Sequence, residues 1–362
     1  MFPDRDDDHL WSSLDPYELR WQERQPFLQS KGYALRPRYR PGWVPSWRGT
    51  GKYPSFCEDG ILLPGLRHLI DATRISDGEL VYIKRVGTGD NESKIAAMLS
   101  TETLRRDPRN HSVPILDIFQ DSDDQAISYM VMPFLRLTDR PEFEIVEDVV
   151  NFVDQMLEGL IFMHEQGVAH RDCSERNVMM DANQMFPQGF HPIKTGFLPD
   201  AKTPARPLAR SQVSVKYYYV DYGISIYIPP DVHPKLALGE DGRDRDVPEL
   251  SIFVPYDPFK VDIFIIGNML KRIFLDKYTN VGFLLRLHES MTQRDPARRP
   301  DSQGALREWQ AIRSSLWRVH RKWRLRSRRY WLDNPYYDVV SIYNISTSLT
   351  TELVGWGTEL QG

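Results

Sequence analysis

Cysteine is scarce in this 362-residue sequence, which contains only Cys57 and Cys173. Two cysteines cannot build the disulfide framework that stabilises many small secreted domains. The sequence also has no apolar run of membrane-spanning length. Its acidic start, "MFPDRDDDHLW", lacks the basic-then-apolar order of a secretory signal. We therefore expect an intracellular protein that does not cross a membrane.

An excess of positive charge is absent as well. The 46 Lys and Arg residues are outnumbered by 50 Asp and Glu residues, and the net charge is -4. This balance gives no general attraction to nucleic acid or to an anionic membrane. One basic run, "RVHRKWRLRSRR", could bind RNA or acidic lipid, but the helical spacing of its apolar residues favours the solvated face of a terminal helix. Nucleic acid is therefore not an expected partner.

The length of the chain allows one large domain or two smaller ones. Residues 1–55 are rich in Pro, Trp and Arg, which indicates an extension that packs on a core. Residues 182–212 contain five prolines and no regular period, so they are interpreted as an inserted surface segment. Residues 321–362 are interpreted as a C-terminal tail.

Between these stretches the sequence predicts regular elements. Ser76-Asp77-Gly78 is typical of a hairpin turn, and Val81 and Ile83 alternate along the strand that follows. Asp90 is a good N-cap for one helix through "ESKIAAMLSTETLR". Further helices are predicted at "EDVVNFVDQMLEGLIFMHEQG" and "VDIFIIGNML". A single last helix is predicted from the helical spacing of Leu306, Trp309, Ile312, Leu316, Val319 and Trp323.

Four polar residues occur in an order that suits phosphoryl transfer. The loop "AHRDCSERNVMMD" holds Asp172 and, five positions later, Asn177, while "VYIK" ends in Lys84 and "VDYGIS" contains Asp221. Phosphoryl transfer needs oxygen ligands for a divalent cation, a cation for the phosphates, and a carboxylate that orients the attacking hydroxyl. Each piece alone is typical of a polar turn, but the joint order and the H-R-D-x-x-x-x-N spacing favour this chemistry.

On these motifs the chain resembles the eukaryotic protein kinase superfamily over roughly residues 56–320. The phrases "DPRNHSVPILDIF" and "MHEQGVAHRD" are most similar to divergent kinase-like proteins of mushroom-forming fungi. The resemblance implies an α+β, bilobal fold. Residues 56–135 would form a small β-rich N-lobe with the hinge, and residues 136–320 a larger, mainly helical C-lobe, with the nucleotide in the cleft between the lobes.

The function implied by the resemblance is transfer of the γ-phosphoryl group of ATP to a Ser/Thr hydroxyl of a protein substrate, by a monomeric enzyme that uses Mg2+. Lys84 would hold the α- and β-phosphates and pair with Glu92, and Asp172 would be the catalytic base. Asn177 and Asp221 would be the magnesium ligands. The gatekeeper and the hinge that binds adenine would be Met132, Pro133, Phe134 and Leu135.

The resemblance also implies structural pairs. Glu249 would form a buried ion pair with Arg299. Asp262 and Gly267 would belong to the buried helix that anchors the catalytic loop. Tyr222 replaces the phenylalanine of the D-F-G motif, so its hydroxyl needs a hydrogen-bond partner.

Departures from the kinase pattern leave an alternative open. No G-x-G-x-x-G precedes Lys84, and only Gly65 is present where the phosphate-covering loop belongs. Ser174 stands where serine/threonine kinases have a lysine, and Arg176 is a candidate to supply the missing charge near the transferring phosphate. The alternative function is a pseudokinase, a nucleotide- or protein-binding module with little or no turnover.

The segment after the D-F-G position lacks the usual phosphorylated hydroxyl. Its carboxylates are candidates to pair with Arg171 in place of a phosphate, and a solvated charged loop is the alternative interpretation, which the sequence favours nearly as much. These carboxylates are Glu240, Asp241, Asp244 and Asp246.

Overall fold

The computed structural model describes residues 11–62 and 67–329, together with Asp338 and Ser341. The chain forms two compact units. One, the sheet unit, consists of Met1–Ser100, Val113–Leu135 and Asp181–Leu208; the other, the helical unit, consists of Thr101–Ser112, Arg136–Met180 and Ala209–Gly362. A β-sheet in the N-terminal part and helices later in the chain are compatible with the bilobal fold that the resemblance implies.

The sheet unit contains a five-stranded antiparallel sheet in the order β1-β2-β3-β5-β4. The predicted hairpin joins its second and third strands, and Gly78 has the positive φ of 78° that the turn requires. Val81 and Ile83 are buried on one face, as their alternation predicts. The strands are β1 Tyr33–Ala34, β2 Leu69–Arg74, β3 Leu80–Gly87, β4 Asp117–Gln120 and β5 Ile127–Pro133.

Helix α1, Pro16–Ser30, lies in the segment that the sequence predicted only as an extension. Its buried positions are Glu18, Trp21, Gln25 and Leu28, which recur at helical spacing. Two of the four are polar, so the hydrophobic pattern does not reveal the helix. Trp21 and Leu28 belong to the core cluster that also contains Val81 and Ile83 of the sheet. The N-terminal segment is therefore part of the sheet unit's core.

Glu18, a buried polar residue of α1, forms a buried ion pair with Arg38. The Arg38 guanidinium, which is fully buried, donates to both carboxylate oxygens of Glu18 at 3.0 and 3.1 Å and to the carbonyl oxygens of Trp11 and Ser13. The Tyr39 hydroxyl donates to the same carboxylate at 2.9 Å. Because every charge has partners, the desolvation cost of burying this pair is offset.

The helix predicted after Asp90 is two helices, so the prediction of one continuous helix was wrong. Asp90 caps α2, Asn91–Leu99, by accepting a hydrogen bond from the backbone of Ser93. A short α3, Glu102–Arg105, follows. The break occurs at Ser100, whose hydroxyl accepts a hydrogen bond from Ile115 N at 2.6 Å. This contact with another segment competes with helix continuation.

Two predicted helices form the core of the helical unit. In α4, Val146–Glu165, the predicted apolar face is fully buried, and Gly167 ends the helix with φ +77°. A Cβ at Gly167 would lie 2.3 Å from the Ile228 carbonyl oxygen, so only glycine fits there. In α5, Pro258–Leu270, every residue from Val261 to Leu270 is buried, as the largely apolar sequence predicts.

The last predicted helix is also divided. After α6, Leu285–Met291, the chain forms α7, Ser302–Ser314, and the short α8, Arg318–Lys322. Trp309 of α7 is buried, but Trp317 in the intervening turn is 81% exposed. The apolar spacing therefore overestimated the length of one helix. The part of the predicted tail from residue 330 onward lies outside the described residues, apart from Asp338 and Ser341.

The remaining strands form small sheets in the helical unit: a three-stranded sheet in the order β6-β8-β9, and the pairs β7-β10 and β11-β12. They are β6 Arg136–Leu137, β7 Val168–Ala169, β8 Val178–Asp181, β9 Lys216–Tyr219, β10 Ile226–Tyr227, β11 Ala237–Gly239 and β12 Ser251–Tyr256. No helix of the described residues is long and apolar enough to cross a membrane.

Residues 182–212 contain only two single-turn helices, Asn183–Met185 and Arg210–Gln212. The irregular backbone agrees with the proline-rich sequence. Phe186, Phe190 and His191 of this segment are buried, and its interpretation as an inserted surface segment stays a prediction. The Phe190 ring packs 5.6 Å from the Phe134 ring within the sheet unit. Aromatic burial, which proline content does not predict, fixes this segment.

Candidate active site

In the sheet unit, Lys84 and Glu92 form the predicted ion pair. Lys84 lies on β3 opposite Met130 of β5, and its Nζ is 2.5 Å from Oε1 of Glu92. Glu92 occupies the first turn of α2, as the short spacing between the two residues predicts. The side chains are only 11% and 12% exposed, so water screens the attraction weakly. A cation is thus held at a defined place beside the sheet.

The predicted gatekeeper and hinge end β5. Met132 pairs in register with Tyr82, and Phe134 is buried with its ring stacked 4.3 Å from the Tyr82 ring. Pro133 has no N–H, and the N–H of Phe134 donates to the carbonyl of Leu80 at 3.2 Å. The backbone N–H of Leu135 is therefore the group of this segment that is placed to donate a hydrogen bond to an adenine ring.

In the helical unit, Asp262 of α5 holds the loop that contains the H-R-D sequence. Its Oδ2 accepts the backbone N–H of His170 at 2.8 Å, and its Oδ1 accepts that of Arg171 at 2.6 Å. His164 donates from Nε2 to Oδ2 at 3.0 Å. Asp262 is fully buried, so these charge-assisted bonds form in a low-dielectric environment. The predicted anchoring of the loop by the buried helix is confirmed.

Asp172 lies in this loop, and its carboxylate already has two donors. Asn177 donates from Nδ2 to Oδ2 at 2.8 Å, and the backbone N–H of Arg243 donates to Oδ1 at 2.8 Å. Burial raises the pKa of Asp172 above its ordinary value, and the two donors act in the opposite direction. A carboxylate with a raised pKa is a stronger base, which suits proton transfer. The contact with Arg243 also means that another part of the chain occupies one of its acceptor positions.

Asn177 and Asp221 are the two oxygen-bearing residues that the sequence predicts as magnesium ligands. The Asn177 amide donates from Nδ2 to both Asp172 Oδ2 and the Asp172 carbonyl, so its Oδ1 faces away from these acceptors. The backbone of Val220 donates to the Asn177 carbonyl at 2.9 Å, which keeps Asp221 next to this loop. Magnesium prefers oxygen ligands and commonly takes one or two from the protein and others from phosphates and water.

Asp221 has a further feature that is typical of functional sites. Its φ of 67° lies in the left-handed region, as does the φ of 65° at Arg171. Such a conformation costs about 1–3 kcal/mol for a residue that is not glycine, and it persists where the surrounding contacts enforce it. In the described part of the chain, no group of three or more His, Cys, Asp or Glu could hold a metal by itself. A metal here would depend on the nucleotide for its other ligands.

Arg171 is not paired with any of the candidate carboxylates, so that interpretation was wrong. Its guanidinium donates to the carbonyls of Ile224 and Leu238 at 3.1 and 3.2 Å and to the Tyr256 hydroxyl at 2.8 Å. The Tyr256 hydroxyl in turn donates to the Gly239 carbonyl at 2.7 Å. Of the four carboxylates, Asp244 is instead bonded to Asn268 and Arg272.

Gly239 allows this arrangement. Its φ is 125°, and a Cβ there would lie 2.6 Å from a terminal nitrogen of Arg171. The two carbonyls and the tyrosine hydroxyl provide partial negative charge where a phosphate or carboxylate would provide a full charge. The Arg171 guanidinium is therefore bound by neutral acceptors.

Two other implied structural features are present. Arg299, whose side chain is fully buried, donates to both oxygens of Glu249 at 2.5 and 2.9 Å, which confirms the predicted ion pair. The Tyr222 hydroxyl donates to the Tyr219 carbonyl at 3.2 Å, so the hydroxyl that replaces the phenylalanine of D-F-G has its partner.

Two candidates from the sequence remain outside these networks. Gly65, proposed for the phosphate-covering loop, lies outside the described residues. Arg176 is exposed, and its guanidinium has no ion pair or hydrogen bond with a described residue, whereas Ser174 beside it is buried. The role of Arg176 near a transferring phosphate stays a prediction. Sequence reasoning missed Arg243 and Tyr256, because their contacts with the loop depend on chain segments about 70 to 85 residues away.

Comparisons with known proteins find protein kinases that are similar to part of this chain. The serine/threonine-protein kinase chk1 of Schizosaccharomyces pombe is 33% identical over 143 residues, which cover 37% of this chain and 27% of that protein. The serine/threonine-protein kinase PSK1 of Saccharomyces cerevisiae is 28% identical over 122 residues, covering 32% and 8%. The MAP kinase kinase kinase SSK2 of the same yeast is 27% identical over 121 residues, covering 31% and 8%.

No protein-family profile matches the chain. The matches span less than a third of the length of each of these relatives. They support a protein-kinase-like superfamily for this chain, and they carry no information on the narrower resemblance to proteins of mushroom-forming fungi.

Proposed function

We propose that this protein is an ATP-dependent protein kinase that transfers the γ-phosphoryl group to a Ser/Thr hydroxyl of a protein substrate. The observation that carries the proposal is the arrangement around Asp172. A loop fixed by the buried Asp262 presents a carboxylate of raised pKa, and the Asn177 amide bonded to that carboxylate keeps its oxygen for a metal ion. These groups match the needs of phosphoryl transfer.

Each residue has a distinct task in this proposal. Asp172 orients the substrate hydroxyl and accepts its proton as the new P–O bond forms. The bond between the γ-phosphorus and the β–γ bridging oxygen breaks at the same time, and ADP leaves. Lys84, held by Glu92, binds the phosphates of ATP. The segment from Met132 to Leu135 binds the adenine. Asn177 and Asp221 hold magnesium, which offsets the negative charge of the phosphate oxygens.

The finer details of the proposal have separate support. Two of the similar kinases are named as serine/threonine kinases, which favours Ser/Thr as the acceptor. Both cysteines of the chain are free thiols, which agrees with a reducing, intracellular location. The degenerate glycine loop is the chief departure, since backbone amides of such loops normally surround the phosphates.

A pseudokinase is the second candidate, and one contact favours it. The backbone N–H of Arg243 donates to Asp172 Oδ1 at 2.8 Å, so a substrate hydroxyl would compete with it for that oxygen. If this contact persists with nucleotide bound, the protein would bind ATP without transferring phosphate at a useful rate.

Two measurements on the full chain test these functions. Thermal unfolding is followed with ATP plus Mg2+, ATP plus EDTA, and Mg2+ alone, for wild type and Asp221→Asn. A ligand at a hundred times its Kd stabilises the folded state by about 2.7 kcal/mol. We expect this stabilisation only with ATP and Mg2+ together, and a clear reduction in the variant.

Turnover is measured with a generic Ser/Thr protein substrate, with Asp172→Ala as the inactive control. Phosphate transfer that disappears in the control supports the kinase. Stabilisation by Mg-ATP without transfer supports the pseudokinase. An unchanged unfolding curve in every condition contradicts both nucleotide-dependent functions.

A further inference from the structure

The helical unit contains a cavity whose wall is rich in positive charge. Its volume is about 230 Å³. Four cationic and two acidic side chains line it: Arg140, Arg176, Arg272, Lys277, Asp139 and Glu175. We call this cavity the basic pocket.

Two of the four cations are neutralised within the protein. Lys277 Nζ is 3.2 Å from Asp139 Oδ2. Arg272 lies 2.9 Å from both Asp244 and Asp246, and 3.9 Å from Glu175. Both carboxylates of the wall therefore have a cationic partner.

Arg140 and Arg176 remain as the uncompensated cations. Both are exposed, and neither guanidinium has an ion pair or hydrogen bond with a residue that the structure describes. Two guanidinium groups that face one cavity repel each other until an anion lies between them. Arginine presents a planar set of donors that matches a carboxylate or a phosphate. The basic pocket thus has the charge and the donors of an anion site.

The wall is assembled from three separate segments. Arg140 follows β6, Arg176 belongs to the catalytic loop, and Arg272 lies in a π-helical turn, Lys271–Leu275, at the end of α5. π-helical turns are rare and often occur at functional sites. Arg140 and Arg176 are 36 positions apart in sequence, and Arg176 and Arg272 are 96 positions apart. Only the fold therefore brings the three arginines to one cavity.

The pocket is adjacent to the proposed base. Arg176 directly precedes Asn177, whose amide donates to Asp172 at 2.8 Å. Arg176 is four residues from Asp172, so the two Cα atoms are at most about 14 Å apart. An extended peptide rises about 3.3 Å per residue, so about four residues cover this distance. When the acceptor hydroxyl of a substrate peptide lies beside Asp172, a substrate side chain within about four positions of that hydroxyl can therefore reach the pocket.

We propose that the basic pocket selects protein substrates that carry an anionic side chain, carboxylate or phosphate, within about four residues of the acceptor hydroxyl. Arg140 and Arg176 bind the anion, while Arg272 and Lys277 are held by their own carboxylates and form part of the wall. This inference rests on the proposed kinase function, because it assigns the substrate class of that site.

The test uses the full chain and three peptides that share one acceptor serine. Their flanking positions carry glutamine, glutamate or phosphoserine. Binding is measured by fluorescence anisotropy in the presence of Mg2+ and a non-hydrolysable ATP analogue, and kcat/KM is measured separately with ATP. Binding does not require turnover, so failure of the kinase function and failure of this proposal are distinguishable.

Exposed ion pairs contribute roughly 1.4- to 5-fold each to binding. Wild type should therefore bind the glutamate or phosphoserine peptide about three- to tenfold more tightly than the glutamine peptide, and this preference should weaken at high salt. The two acidic peptides show which anion the pocket prefers. Arg140→Gln should reduce the preference, and Arg140→Gln/Arg176→Gln should abolish it. Arg307→Gln, an exposed arginine of α7, is the matched control and should retain it.

A second role for Arg176 is separable in the same experiment. If Arg176 acts on the transferring phosphate, Arg176→Gln lowers kcat equally for all three peptides. If it binds the flanking anion, the loss is confined to the acidic peptides and is largely in KM. Equal affinity of wild type for the three peptides, or an unchanged preference in the double variant, would overturn the proposal.

Discussion

Lys84 and Glu92 are eight residues apart in sequence, whereas Asp262 is 91 and 92 residues from the two backbone groups that it holds. The first pair, in the sheet unit, keeps 11% and 12% side-chain exposure. Asp262, in the helical unit, is fully buried. Lys84 is thus held by an ion pair with a residue that is close in sequence. The loop with the H-R-D sequence is held by a buried carboxylate that is remote in sequence.

The difference shows what each site depends on. Glu92 lies in the first turn of α2, where a negative charge is stabilised by the helix N-terminus even without Lys84. The backbone N–H groups of His170 and Arg171 depend on the Asp262 carboxylate for their hydrogen bonds. Loss of Lys84 should therefore impair function more than folding, and loss of Asp262 should impair both. Five predictions test this difference, in order of decreasing effect.

Asp172→Asn should have the largest effect on activity. The variant keeps the size of the side chain but loses the charge that would accept the proton under the proposed function, which corresponds to about a 10²- to 10⁴-fold lower kcat. Nucleotide affinity should stay within about twofold. Single-turnover kinetics and nucleotide titration measure the two quantities. Asp241→Asn, which removes an exposed charge from the same part of the helical unit, is the control and should keep its activity. Full turnover by Asp172→Asn would show that another group is the base.

Asp262→Ala should have the largest effect on stability. It leaves two buried backbone N–H groups without their acceptor and costs about 3–5 kcal/mol in the free energy of unfolding. Urea denaturation measures this loss. Asp276→Ala, which removes a half-exposed partner of Lys271, should cost less than about 1 kcal/mol. A loss as small as that of the control would mean that the loop does not rely on Asp262.

Lys84→Met should lower both nucleotide affinity and turnover, because under the proposed function its ammonium binds the phosphates in the ground state and in the transition state alike. The free energy of unfolding should fall by only about 1–2 kcal/mol, since Glu92 keeps its helix N-terminus. Nucleotide titration and urea denaturation measure the two effects. Lys94→Met, an exposed lysine of α2, is the control. A stability loss equal to that of Asp262→Ala would remove the distinction between the two sites.

Tyr256→Phe should have a modest effect on stability. The variant removes the hydroxyl that accepts from Arg171 and donates to Gly239, at a cost of about 1 kcal/mol. The two carbonyl acceptors of Arg171 remain. Urea denaturation measures the loss, and Tyr227→Phe, at a half-exposed tyrosine, should leave stability unchanged. If the two variants behave alike, the Tyr256 hydroxyl does not hold the segment.

Phosphatase treatment should have the smallest effect, with activity unchanged. Between Gly223 and Glu249 the hydroxyl residues are Ser225 and Tyr227. Ser225 is buried and donates to the His170 carbonyl at 3.0 Å, so it is not accessible to a modifying enzyme. Activity before and after treatment is compared, with mass spectrometry of the segment. A loss of activity traced to Tyr227 would contradict the idea that neutral acceptors suffice to hold Arg171.

Several local patterns in the sequence predicted the structure correctly, although the lengths of two helices were overestimated. Asp90 caps α2 through a residue three positions away, and the apolar face of α4 recurs at helical spacing within a single element. The spacing of Lys84 and Glu92 likewise places Glu92 in the first turn of α2. Such features depend on neighbours in the chain, so the sequence by itself determined them.

Hydrophobic periodicity did not predict α1, because two of the four buried residues on its inner face are polar. The inner face of α1 includes Glu18 and Gln25, which are satisfied by Arg38 and by the backbone N–H of Leu35. A helix of this kind has almost no hydrophobic periodicity, and its polar partners are known only when the chain is folded.

The partners of charged groups were decided by the tertiary structure. The sequence contains Arg171 and four carboxylates that could pair with it. In the folded chain Arg171 instead donates to two carbonyls and to the Tyr256 hydroxyl, and Asp244 accepts from Arg272. It also brought Arg140 and Arg176 to one cavity. A charge interacts with whatever lies within a few ångströms, and distances between remote segments are not encoded in local spacing. The motif residues of the site were thus set by the sequence, and the environment of each charge was set by the fold.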